Sequence, residues 1–100
     1  MSKNYVHIEG FVKRDSEATE PRANVMVMSF CLSVPDPVSG TDVYVDCYAG
    51  TEVSNALEGF VSKGERLAVD GQLSYRTITD YKGRQRSGLN VYVENVEEID

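Results

Sequence analysis

The chain has 100 residues, 41% of them hydrophobic, and its ten basic and sixteen acidic side chains give a net charge of −6. This length suits one domain with a single core, and we expect one domain over residues 1–100. No run of eighteen apolar residues occurs and the first residues lack an apolar segment, so neither a membrane span nor a secretory signal is predicted. The acidic balance argues against general attraction to polyanions, but a local cationic patch can still bind one.

Alternation of apolar and polar residues predicts three strands in the first half of the chain, at residues 5–13, 24–34 and 42–49. The turn-rich stretch PDPVSGT separates the second strand from the third. The predicted inward residues are Val6, Ile8 and Val12, then Met28, Phe30, Leu32 and Val34, then Val43, Val45, Cys47 and Ala49. On the third strand Tyr44, Asp46 and Tyr48 take the other face, which we assign to solvent or a ligand.

One helix is predicted after the third strand. Thr51 is its expected N-cap, Glu52 favours the positive end of the helix dipole, and Lys63-Gly64 closes it. Its apolar stripe, which we expect in the core, comprises Val53, Ala56, Leu57, Phe60 and Val61.

Two further strands follow, at about residues 66–78 and 87–97, and parity with Val69 and Leu73 places Tyr75 in the core. The resulting order is β-β-β-α-β-β. Five strands with a helix between the third and fourth are typical of the OB-fold, a small all-β barrel with one helix.

The hairpin that joins the last two strands is basic. Residues 76–86 contain Arg76, Lys82, Arg84 and Arg86 against the single acid Asp80. A cationic hairpin on an acidic body is typical of an element that tracks a phosphate backbone. A solvated hairpin tip is the alternative interpretation.

Catalytic and metal chemistry find little support. Cys31 and Cys47 form no CxxC pair and His7 stands alone, so we expect no metal, no cofactor and no disulfide, and two reduced, buried cysteines. The sequence offers neither a serine–histidine–aspartate set nor a phosphate-cradling glycine loop, and we therefore expect no enzyme. His7 is interpreted as a polar strand residue near a subunit contact.

Over residues 4–98 the chain resembles the DNA-binding domain of bacterial and phage single-stranded DNA-binding proteins. The segments that carry the resemblance are KRDSE (13–17), VMSFCLSV (27–34) and YVDCYAGTEVSNALEGFVSKGERLAVDGQL (44–73), followed by four positions of the hairpin. Ser16 stands where the family usually has proline, and the chain has no tryptophan.

The resemblance implies that bases stack on aromatic rings while basic side chains contact the phosphates. Tyr44 takes the position of the family's stacking tryptophan, and two other family aromatics are Gly50 and Ile78 here. Tyr48 and Tyr81 are candidates to compensate, with a subunit interface and a shield for the turn as their respective alternatives. The expected phosphate contacts are Lys13, Arg14, Arg76, Lys82, Arg84 and Arg86.

The function implied is sequence-independent binding and protection of single-stranded DNA in replication, recombination or repair. It would take place in the cytoplasm, at the nucleoid of a bacterium or a phage-infected host. The resemblance also implies a homodimer or homotetramer paired through residues 5–11, and leaves room for replication or repair proteins as partners. The acidic tail typical of the family is not expected after VEEID, whether naturally missing or removed. The competing interpretation is a primosomal-type OB-fold adaptor that works mainly through protein contacts.

Overall fold

The computed structural model describes residues 3–22, 25–79 and 82–99. It contains six strands and one helix in the order β1 (Val6–Val12), β2 (Glu17–Arg22), β3 (Val25–Pro35), β4 (Asp42–Ala49), α1 (Thr51–Ala56), β5 (Arg66–Thr79) and β6 (Gln85–Glu98). Among the described residues, no helix has the length and apolar character that a bilayer crossing requires.

Five of these strands close into a barrel. The sheet order is β1-β5-β6-β4-β3-β2, and β1 also pairs with β3 through Phe11↔Ser33 and Val12↔Leu32, which closes the ring. All pairings are antiparallel except β4 with β6, which run parallel at Cys47↔Val91 and Tyr48↔Tyr92. The predicted five-stranded OB-fold barrel is confirmed.

The sixth strand, β2, was not predicted from the sequence. Its residues, EATEPR, are mostly polar and include a proline, so they show no alternation of apolar and polar side chains. Within the described part of the chain β2 pairs only with β3, at the edge of the sheet. An edge strand tolerates proline because one side of its backbone needs no ladder partner.

The barrel interior is filled by the inward residues of all five barrel strands. Met28 and Leu32 of β3, Cys47 and Ala49 of β4 and Val69 of β5 are fully or almost fully buried. The alternation predicted for β1, β3 and β4 is thereby confirmed, although Val43 at the start of β4 remains exposed. Both cysteines are free and buried, as expected.

Two glycines lie where strands approach too closely for a side chain. A Cβ at Gly10 would collide with the carbonyl oxygen of Ser33, and one at Gly71 with the carbonyl oxygen of Tyr92. Gly71 also lies at a β-bulge, because Asp70 pairs with Asn95 whereas Gly71 pairs with Val93. The bulge strengthens the local twist and helps the sheet to curve into a barrel.

The helix is shorter than predicted. It covers six residues and its N-cap is Gly50 rather than Thr51. No side chain among the described residues caps it. The backbone leaves the helical region at Glu58 and Gly59, which have φ angles of 58° and 76°. The extension to Lys63-Gly64 was therefore wrong.

Competing hydrogen bonds explain the early end of the helix. The N–H of Val61 donates to Ser16 Oγ at 3.0 Å, and the N–H of Lys63 donates to Asp15 Oδ1 at 2.8 Å. These bonds tie the segment after α1 to the loop after β1, so this backbone cannot also form helix. Val61 remains buried, but Phe60 is 50% exposed and Ala56 is also exposed, so the prediction that both lie in the core was wrong.

Strands β5 and β6 extend beyond the barrel as a two-stranded arm. Pairing of β1 with β5 ends at Val6↔Gly71, whereas pairing of β5 with β6 continues to Thr79↔Gln85. Tyr75 has the inward parity that was predicted, but no third strand among the described residues pairs with the arm there. It is consequently 67% exposed, and its placement in the core was wrong.

Candidate nucleic-acid interface

The outer face of β4 carries two aromatic rings. Tyr44 and Tyr48 alternate with inward residues and are four positions apart, so both side chains leave the same face of the strand. Tyr44 is 61% exposed and Tyr48 is half-buried. Asp46 lies between them on that face, as the sequence predicted.

A cation lies against each of these rings. Lys13 Nζ is 3.5 Å from the centroid of the Tyr44 ring, and the guanidinium carbon of Arg76 is 3.6 Å from the centroid of the Tyr48 ring. The two cations come from distant parts of the chain, since Lys13 follows β1 and Arg76 lies on the arm. Barrel closure thus joins four of the predicted site residues into two ring–cation pairs.

A third ring, Tyr92 of β6, was missed from the sequence. Its centroid is 5.3 Å from that of Tyr48, with an angle of 66° between the ring planes. The contact follows from the parallel pairing of β4 with β6, which opposes these two tyrosines directly. Alternation with the buried Val91 and Val93 could have placed Tyr92 on the outer face, but not beside Tyr48.

The remaining predicted cations belong to the segment after β1 and to the hairpin of β5 and β6. Arg14 is exposed after β1, and Lys82 and Arg84 are exposed in the turn of the hairpin. Arg86 lies in β6 opposite Ile78, but its side chain falls outside the described residues. Tyr81 lies outside them as well.

The two buried cysteines of β3 and β4 have thiols of low reactivity. Cys31 of β3 pairs with Asp46 of β4, and burial raises the pKa of its thiol, with the negative charge of Asp46 adding to the effect. Burial likewise raises the pKa of Cys47 to about 12. Both thiols are therefore protonated near neutral pH, which makes them poor nucleophiles and poor metal ligands. Within residues 3–22, 25–79 and 82–99, no group of three or more His, Cys, Asp or Glu side chains could hold a metal ion.

A polar cluster occupies the outer face of β1 and β5, and β1 does not pair with β4, which carries Tyr44 and Tyr48. His7 lies between two carboxylates, with Nδ1 2.6 Å from Asp70 Oδ1 and Nε2 3.2 Å from Glu9 Oε2. The hydroxyl of Tyr5 donates to Asp70 Oδ1 at 2.8 Å, and Arg66 Nη2 lies 3.7 Å from Glu9 Oε1. The pKa of His7 is raised, mainly by the hydrogen bond to Asp70 and to a smaller extent by the one to Glu9.

Comparison with known proteins gives a consistent picture. Residues 3–99 match the model of the Single-strand binding protein family. A single-stranded DNA-binding protein of Borreliella burgdorferi is 26% identical over 101 residues, which span 94% of this chain and 68% of that protein. The solved dimeric structure of the N-terminal domain of PriB protein from Thermoanaerobacter tencongensis has a TM-score of 0.73 and 21% identity, with 97% of each chain covered. At 21% identity, the similarity to the PriB domain is evidence for a shared fold alone.

Proposed function

The chain belongs to the single-strand binding protein family, and from that premise we propose that it binds and protects single-stranded DNA without strong sequence preference. The membership confirms the resemblance noted in the sequence. We place the activity in replication, recombination or repair, where unpaired strands arise. The role is binding rather than catalysis.

The observation that carries the proposal is the presence of two ring–cation pairs on one outer face of the barrel. A single strand offers a base and a phosphate at every nucleotide. Tyr44 with Lys13, and Tyr48 with Arg76, each supply a ring for a base and a cation for the adjacent phosphate. Stacking on an aromatic ring tolerates any base because every base has a π-face, so the surface suits binding without sequence preference.

The charge distribution limits the affinity. Asp46 lies between the two tyrosines and repels phosphate, and the whole chain carries a net charge of −6. We therefore expect weaker binding than a tryptophan-rich surface would give. We also expect a steep loss of affinity with added salt, since phosphate contacts release counterions.

A matched pair of oligonucleotides tests the proposal. Fluorescence anisotropy at low salt with a labelled oligo-dT should show binding, and the same label on a duplex of equal length should bind much more weakly, because paired bases offer no free face for stacking. Absence of a complex with the single strand would contradict the proposal. The adaptor alternative, which the acidic body and the reduced set of aromatics favour, would then become the better explanation.

We also propose self-association through the outer face of β1. Tyr5 and Phe11 are exposed hydrophobic residues on this face, and His7 lies between them. Sedimentation at micromolar concentration should detect at least a dimer, and Phe11→Asp should dissociate it by placing a charge in the contact. A wild-type chain that sediments as a monomer would contradict this proposal and leave DNA binding unaffected.

A further inference from the structure

Tyr92 of β6 is an exposed ring that belongs to neither ring–cation pair. Its neighbours Val91 and Val93 are buried, so Tyr92 takes the outer face of the strand, where it is 41% exposed. The parallel register sets it directly opposite Tyr48 of β4. Tyr92 therefore enlarges the exposed aromatic area beyond β4, and contiguous exposed apolar areas mark binding surfaces more often than single exposed residues do.

The contact with Tyr48 leaves a face of the Tyr92 ring open. The two centroids are 5.3 Å apart and the planes meet at 66°, so this contact covers at most one face of Tyr92. The hydroxyl end of Tyr92 points towards the end of β4, since a Cβ built on Gly50 would lie 3.6 Å from its hydroxyl oxygen. Gly50 has no side chain of its own to cover the ring there.

The three rings follow the outer face of β4 in order. Tyr44 and Tyr48 are four residues apart, which at the rise of an extended strand is about 14 Å. Gly50 comes two residues after Tyr48 and has the same parity, so it continues that face as bare backbone. Tyr92 reaches this position from β6 and supplies the ring that β4 lacks at its end.

A groove beside Tyr92 gives access to this end of the surface. It has a volume of about 430 Å³ and runs between Tyr92 and the start of α1, where Gly50 and Thr51 line it. The other lining residues include the exposed acids Glu52 and Glu94. Their carboxylates repel phosphate but not an uncharged base, so the groove suits a base rather than the backbone of a nucleotide chain.

We propose that Tyr92 is a third stacking residue, which binds a base at the end of β4 through its ring and adds no phosphate contact. The inference rests on the proposed function and names a further residue of the same DNA-binding surface. Tyr92 should thus contribute affinity that is independent of base identity, because stacking needs only an open ring face.

Anisotropy with oligo-dT over a range of salt concentrations tests this role. Tyr92→Leu should raise the dissociation constant about fivefold at every salt concentration. The slope of log K against log salt should match the wild type, because an uncharged ring releases no counterions. Tyr92→Phe, which keeps the ring, should restore the affinity.

The control and the check on folding use the same hairpin. Tyr75→Leu is the matched control, because Tyr75 is 67% exposed but has the opposite parity on the arm and should not affect binding. Melting temperatures report whether each variant folds. If leucine is not tolerated at position 92, Tyr92→Thr takes its place, since strands favour threonine.

The other outcomes overturn the inference in distinguishable ways. An unchanged dissociation constant in a folded variant without the ring removes Tyr92 from the surface and leaves the proposed function intact. A slope reduced by about 0.7 would mean that Tyr92 acts by holding Arg76 against Tyr48, and an equal loss in Tyr92→Phe would assign the effect to the hydroxyl. Both results exclude stacking on the ring. A wild-type protein that does not bind oligo-dT contradicts the proposed function itself, and the inference falls with it.

Discussion

Replacement of Tyr44 by leucine is the most direct perturbation of the tyrosine surface, the outer face of β4 that carries Tyr44 and Tyr48. The ring is 61% exposed, so its loss should cost the fold little, and its face is covered by Lys13 Nζ at 3.5 Å. A stacked base contributes about 1–3 kcal/mol. It must first displace the lysine, whose contact with an exposed ring is worth about 0.5–1 kcal/mol.

The difference between these terms is a net loss of about 1 kcal/mol for Tyr44→Leu, or about a fivefold increase in the dissociation constant. Anisotropy with oligo-dT measures it, and the melting temperature serves as a check on folding. Tyr75→Leu is the matched control, because Tyr75 is 67% exposed but lies on the face of the arm with Leu89, opposite Arg76. Equal effects of the two substitutions would refute the reasoning.

The displacement of the lysine can be measured separately. If Lys13 leaves the ring for a phosphate, Lys13→Met should reduce the slope of log K against log salt by about 0.7. If the lysine stays over the ring in the complex, the slope should not change. The second result would mean that the base uses the opposite face of Tyr44.

Three further substitutions test the fold, the β1 cluster and the hairpin. Gly71→Ala should lower the free energy of unfolding by about 1–3 kcal/mol or more, because its Cβ would meet a backbone carbonyl. Gly88 has open space around it, so Gly88→Ala should change this free energy little. Denaturant titration measures both. The raised pKa of His7 means that its protonation stabilises the fold. This contribution is full below the ordinary pKa of 6.5 and is lost as the pH rises through the raised value. The melting-temperature difference between wild type and His7→Gln should therefore shrink as the pH rises above about 6.5. Arg84→Gln should make the salt dependence of DNA binding shallower by about 0.7 in slope, and an unchanged slope would remove the hairpin tip from the proposed surface.

The strands of the barrel could be predicted because alternation is a local signal. Residues 24–34 and 42–49 each have one apolar face, and the observed strand bounds differ from the predicted ones by only a residue at the ends. The structure buries most of that face, with Val43 as an exception. The length of α1 could not be predicted in the same way. Its apolar stripe continues to Val61, but the backbone N–H groups of Val61 and Lys63 donate hydrogen bonds to Ser16 and Asp15, which hold that segment in another conformation. Such long-range bonds are not visible in a local pattern.

In the candidate site too, local features could be predicted from the sequence and long-range contacts could not. The spacing of Tyr44 and Tyr48 was enough to place both on one face of β4. Their partners Lys13, Arg76 and Tyr92 are 31, 28 and 44 positions away in the sequence, and they meet the rings only because the barrel closes and β4 pairs with β6. The alternation along β5 also placed Tyr75 wrongly in the core, because an alternating pattern does not show where the barrel ends and the arm begins.

The position of the acids explains how an anionic barrel could still hold a polyanion. The cluster of His7, Glu9 and Asp70 lies on β1 and β5, and β1 is not a neighbour of β4 in the ring of strands. At physiological salt the Debye length is about 8 Å, so charges across the barrel act weakly on the tyrosine surface. Short-range contacts from Lys13 and Arg76 then decide binding there, with Asp42 and Asp46 of β4 as opposing charges on the same face. The net charge of −6 should therefore slow the encounter with DNA more than it weakens the complex once formed.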